Sequence, residues 1–136
     1  MLKLGDTFLM PETQHGTEHL YIVISDPDPE GKAVCVNVTT AYAFSEKTCV
    51  LQKGDHPFIE HESVIRYQYA KILDLSLVEK ALSAKQSKFV CEQRQPCSNE
   101  LLCRVQEGLE RSKMVTRSVK EYFLNGKKNP DDKKKS

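Results

Sequence analysis

The chain has 136 residues, 20 of them basic and 19 acidic, a formal net charge of +1, 39% hydrophobic and 29% charged side chains. That size and balance predict one compact domain with a helical appendage, and exclude a disordered chain. No apolar run approaches the ~20 residues that span a bilayer, and the N-terminus lacks a signal-peptide pattern, so a cytoplasmic protein without a membrane partner is expected. Cys35 and Cys49 sit inside apolar runs, and the total of five cysteines is odd. Free thiols in a reducing compartment follow. The residues after Gly126 carry five lysines and two aspartates, which leaves 15 basic and 17 acidic residues and a body of about −2. Such a body binds polyanions only through a local basic patch.

In chain order, Gly5-Asp6 precedes a short strand that ends near Met10, and Pro11 to Glu18 reads as a polar loop containing His15. His19 to Ser25 is rich in β-branched and aromatic residues and predicts a strand. Asp26-Pro27-Asp28-Pro29-Glu30-Gly31 is turn chemistry, with prolines that preset φ and a glycine that permits positive φ. Ala33 to Thr39 alternates, Val34, Val36 and Val38 against Cys35 and Asn37, as a strand buried on one face does. Lys47 to Leu51 and Val64 to Leu73 are further strands, the second bent or broken near Gln68. Five or so short strands without a helical period between them predict a small antiparallel barrel over residues 1–73.

The character changes at Asp74. Ser76-x-x-Glu79 has the form of a capping box that opens a helix through about Leu82. Ser83 to Gln95 gives no clear pattern. Ser98 to Gly108 places Leu101, Leu102, Val105 and Leu109 at helical spacing, with Gly108 near the stop. Thr116 to Asn125 places Val119, Tyr122 and Phe123 on one helix face, closed by Asn125-Gly126 as a left-handed cap. These segments make residues 74–126 a helical extension packed on the barrel. The Lys-rich stretch 127–136 has too little apolar surface to fold and is expected to be disordered. Cys91, Cys97 and Cys103 are separated by five residues each, unlike the Cys-x₂₋₄-Cys pairs of structural zinc, so no metal or cofactor is expected.

The densest chemistry is Gly54-Asp55-His56-Pro57-Phe58-Ile59, followed by His61 and Ser63. Proline biases His56 toward extended backbone, and Asp55 is placed to orient the imidazole, although Gly-Asp is equally ordinary turn chemistry. Tyr67 and Tyr69, two apart on a strand, share a side, where they stack on bases or pack against the helices.

Gly5-Asp6 at the first strand, Tyr21-Ile22-Val23-Ile24-Ser25 followed by an Asp-Pro turn, and Val36-Asn37-Val38-Thr39-Thr40 ending the third strand resemble the PemK/MazF-type toxins of bacterial toxin–antitoxin systems. The resemblance covers roughly residues 3–73. It implies an α+β protein, a small SH3-like antiparallel β-barrel followed by a C-terminal helical extension. It further implies a metal-independent endoribonuclease whose partners are RNA, a cognate antitoxin and a second copy in a homodimer. The family pattern carries a basic residue, usually Arg-Pro, just before the second strand; here that place reads Glu18-His19-Leu20, and no arginine precedes Arg66. Thr39 or Thr40 matches the hydroxyl that ends the third strand in the family. The Gly54-to-Ser63 segment has no counterpart there.

Cleavage through the ribose 2′-hydroxyl needs a base, an acid for the leaving 5′-oxygen and a donor for charge on the phosphate. Histidine serves both proton roles near neutrality. The expected catalytic set is His19, Thr40 and His56, with Asp55, Ser63, Arg66 and Tyr67 around the substrate. The alternative is a catalytically inactive SH3-like module for a protein or nucleic-acid partner, in which the histidines are structural.

Overall fold

The structure is a computed structural model that describes residues 1–11, 17–84 and 91–127. His15, most of the expected first loop and the Lys-rich stretch after Lys127 lie outside the described residues.

Among the described residues the architecture is α+β, an antiparallel sheet with three helices. The strands are β1 (Thr7–Pro11), β2 (Glu18–Val23), β3 (Lys32–Thr40), β4 (Val50–Leu51), β5 (Ser63–Ile65), β6 (Lys71–Asp74) and β7 (Glu92–Arg94); the helices are α1 (Leu75–Ser83), α2 (Asn99–Arg111) and α3 (Arg117–Lys127). Their order is β4-β5-β3-β2-β1-β7, and β6 also pairs with β3. No pairing joins β4 to β7 among the described residues.

The long strand β3 organises this sheet. Its middle pairs with β2, its first half with β6 (Lys32↔Asp74 to Cys35↔Lys71) and its last residues with β5 (Val38↔Ile65 to Thr40↔Ser63). The alternation in its sequence predicts one buried face, yet both faces are buried from Ala33 to Val38. On one side Val34, Val36 and Val38 join Leu20 and Ile22 in a core completed by helices α2 and α3 (Leu101, Val105, Leu109, Phe123). On the other, Ala33 and Cys35 join Phe8, Tyr21 and Val23 under Leu75 and Val78 of α1. There Phe8 and Tyr21, opposite each other in register, stack with centroids 5.4 Å apart. A helix on each face explains why cysteine and alanine stand where a solvated strand would carry polar groups.

The expected strand Val64 to Leu73 is broken by a 3₁₀ turn at Tyr67–Tyr69. The turn sends the two tyrosines apart: Tyr67 is fully buried and donates its hydroxyl to the Val105 carbonyl at 2.8 Å, while Tyr69 is largely exposed. Burial drives the Tyr67 phenol far above its ordinary pKa, so it stays a donor.

Helix α1 starts two residues earlier than the capping box suggests. Asp74 is the cap and accepts from the Ser76 amide, and Glu79 instead accepts from the Leu2 amide, which ties the N-terminus to α1. Ser98 caps α2 through the Leu101 amide, as its position before the apolar period implies. Neither glycine stops its helix. Helix α2 runs through Gly108 to Arg111, and α3 runs through Gly126 to Lys127 without a positive φ. Strand β7, which pairs with β1 through Glu92, Gln93 and Arg94, has no alternation in its sequence and is exposed throughout.

Gly108 is where α2 meets Tyr67 and Cys49. A methyl group there would overlap the Tyr67 hydroxyl and approach Cys49 Cβ at 3.2 Å. Gly108→Ala therefore lowers stability by about 1–3 kcal/mol, whereas Gly126→Ala, with no atom within 4 Å of the added carbon, raises it by up to about 1 kcal/mol. Urea unfolding midpoints check both signs.

Candidate functional site

The expected residues divide between two places. The first is a groove of about 400 Å³ at the far end of β3, lined by His19, Thr39, Thr40, Tyr42, His61 and Ser63 among others. Three elements meet there because of register. Thr40 is opposite Ser63 in the β3–β5 pair, and Leu20 is opposite Val38 in the β2–β3 pair, so His19 stands one step further along, beside Thr39. His61 lies just before β5 and its Nε2 is 2.9 Å from the Thr40 hydroxyl. Ser63 is buried and donates to the His61 carbonyl at 3.0 Å, which fixes the backbone that carries the imidazole. His19 donates from Nδ1 to the Val38 carbonyl at 3.3 Å. That bond puts the ring's lone pair on Nε2 when the imidazole carries one proton.

A second groove of about 280 Å³ adjoins it and shares Thr39 and Tyr42; Arg66 lines it. The guanidinium lies 4.2 Å from the Tyr69 ring centroid, and its Nε donates to Asn37 Oδ1 at 3.4 Å. The ring contact and the hydrogen bond hold the cation at the groove wall.

His56 is elsewhere. It is buried and acts as a clasp: its Nδ1 accepts from the Phe58 amide at 3.0 Å and its Nε2 donates to the Gln95 carbonyl at 2.6 Å. Thr7 of β1 donates to the same carbonyl at 2.8 Å. The imidazole thus joins the β4–β5 connection to the residue after β7. Asp55 does not orient it. One Asp55 oxygen accepts from the Gln52 amide at 2.7 Å and the other from Arg104 of α2 at 3.1 Å, while Arg104 also reaches the Val50 carbonyl at 2.7 Å. Asp55 and His56 line a separate cleft of about 580 Å³ with Gln95 and Pro96. Tyr67, expected near the substrate, is sealed in the core.

His61, Tyr42, Glu18 and Glu60 also line the β3 groove and stand outside the set expected from the sequence. The signal that finds them is the Thr40↔Ser63 register, a pairing across 23 residues that no local pattern encodes.

All five cysteines are free; Cys35 and Cys49 are buried, and Cys103 is exposed. Burial pushes the Cys35 thiol up to about 12 and the Cys97 thiol up to about 11. Neither is a nucleophile at neutral pH. Among the described residues no three His, Cys, Asp or Glu side chains gather as metal ligands, and no helix is long and apolar enough to cross a membrane.

Comparison with models of known protein families and with curated proteins finds no match to this chain.

The clasp geometry separates two histidines by experiment. His56→Ala removes a buried ring, strands the Phe58 amide and leaves the Gln95 carbonyl to Thr7 alone, at a cost of about 2 kcal/mol or more. His61→Ala, at an exposed position, changes stability by less than about 0.5 kcal/mol. Thermal or urea unfolding of the two variants measures the contrast.

Proposed function

We propose that this chain is a divergent PemK/MazF-like protein, a toxin-type metal-independent endoribonuclease on an SH3-like barrel, with its reacting groups in the β3 groove. The observation that carries the reading is the meeting of His19, Thr40 and His61 in one solvent-reachable groove, beside a second groove that holds Arg66. This is the parts list for 2′-hydroxyl attack on the adjacent phosphodiester. His19 Nε2 takes the 2′-hydroxyl proton, and His61, steadied by Thr40, returns a proton to the leaving 5′-oxygen. Arg66 and the Thr39 and Thr40 hydroxyls supply positive charge and donors to the phosphate oxygens. In this scheme His61 takes the place first given to His56, whose ring is committed to the clasp. His19 stands where the family resemblance places a basic residue, and Thr39 and Thr40 stand where it places a hydroxyl. An antitoxin would act by filling the same groove, and the homodimer implied by the resemblance belongs to the proposal.

The second reading, a binding module without catalysis, is favoured by one specific feature. Glu18 and Glu60 line the β3 groove, and carboxylates there oppose an incoming phosphate.

Incubation of the purified protein with mixed-sequence RNA in EDTA distinguishes the two. The endoribonuclease yields discrete products, and His61→Ala and Arg66→Gln each slow cleavage by at least ~10²-fold with an unchanged unfolding midpoint. Intact RNA in EDTA and with divalent metal alike, or variants as fast as the wild type, contradicts the proposal in favour of the module.

A further inference from the structure

The loop that follows β3 carries two aromatic side chains that the fold does not use. Tyr42 is 68% and Phe44 102% exposed, yet both line the groove that contains Arg66. Large apolar rings left in water contribute nothing to folding, and a pair at one groove marks a binding surface.

The loop beneath them is built. The Tyr42 amide donates to Ser45 Oγ at 2.8 Å, and the Ser45 amide returns a bond to the Tyr42 carbonyl at 3.0 Å. The Ala41 amide reaches the Glu62 carbonyl at 3.2 Å. At the far end, one Glu46 oxygen accepts from Thr48 Oγ1 at 2.7 Å and from Ser112 Oγ, and the other is buried without a partner among the described residues. Glu46 also lines this groove, with one carboxylate oxygen tied to Thr48 and Ser112, and Arg66 lines it beside Tyr42 and Phe44. A held loop that presents aromatic faces beside a flat guanidinium suits unpaired bases joined by phosphates: rings stack on rings, and the cation meets the backbone.

We propose that Tyr42 and Phe44 are a stacking platform for the unpaired bases of single-stranded RNA, with Arg66 on the adjoining phosphate. Because the two grooves share Thr39 and Tyr42, a strand stacked here runs directly into the His19/His61 groove. The platform sets which nucleotides flank the reacting phosphate. This inference rests on the endoribonuclease reading for the identity of the strand, and its test is kept separate from cleavage.

The test is fluorescence anisotropy at low salt with a labelled, fully 2′-O-methylated single-stranded RNA oligonucleotide, which lacks the attacking hydroxyl. The wild type binds it. The double variant Tyr42→Ala/Phe44→Ala weakens binding by at least ~10-fold, and Tyr42→Phe stays within about twofold of the wild type. Arg66→Gln lowers the salt slope by about one. Unfolding midpoints stay unchanged in the aromatic variants, which tests that the loss is local. Equal affinity of the double variant and the wild type, or no binding by the wild type, overturns the proposal. Unmodified RNA followed in parallel tells the two ideas apart. Aromatic-dependent binding without cleavage retires the enzyme and keeps the platform; cleavage with aromatic-independent binding does the opposite.

Discussion

The double-sided burial of strand β3 is the constraint on which the rest of the structure depends. From Ala33 to Val38 the strand has no solvent face, and it pairs with β2 along one edge and with both β5 and β6 along the other. Register on such a strand cannot slip, since a shift by one residue would exchange the two cores. The same rigidity fixes the exit. Thr39 and Thr40 are the first half-exposed residues after the buried run, and they emerge where β2 and β5 deliver His19 and Ser63. The groove is therefore a consequence of how the central strand ends.

The His56 clasp works at a distance from that groove and for a different purpose. Its two ring nitrogens join the β4–β5 connection to Gln95, and Thr7 donates to the same carbonyl. Asp55 adds a second tie through Arg104 to α2. A loop of glycine, aspartate, histidine and proline that looks made for chemistry is spent on holding the two ends of the sheet and a helix together. Polar residues in this loop satisfy the backbone groups of Gln52, Phe58 and Gln95. In the proposed reading, imidazole chemistry falls instead to His19 and His61, which line the groove at the end of β3.

Much of the fold was legible in the sequence. The β-branched run at β2, the alternation of β3, the break in the segment after β5 and the apolar periods of α2 and α3 follow directly from residue pattern. What escaped was set by tertiary contact. Cys35 and Asn37 look like a solvated face until α1 and the Arg66 region cover them. Gly108 looks like a stop until the Tyr67 hydroxyl is found where its side chain would be. Strand β7 has no pattern because it borrows its hydrogen bonds from β1 and buries nothing. The site was half legible for the same reason. His19, Thr40, Ser63 and Arg66 were named from residue type and resemblance, and His56 outranked His61 because proline and aspartate neighbours carry more local signal than a distant register.

The account's central claim is that the end of β3, and not the His56 loop, is the surface the protein presents to its ligand. Amide chemical shifts of isotopically labelled protein, recorded while single-stranded RNA is added, test it most directly. The account predicts movement at Thr39, Thr40, Tyr42, His61 and Ser63, with the amides of His56 and Gln95 unchanged. Movement centred on residues 54–59 and 95–98, with the β3 end silent, would contradict it.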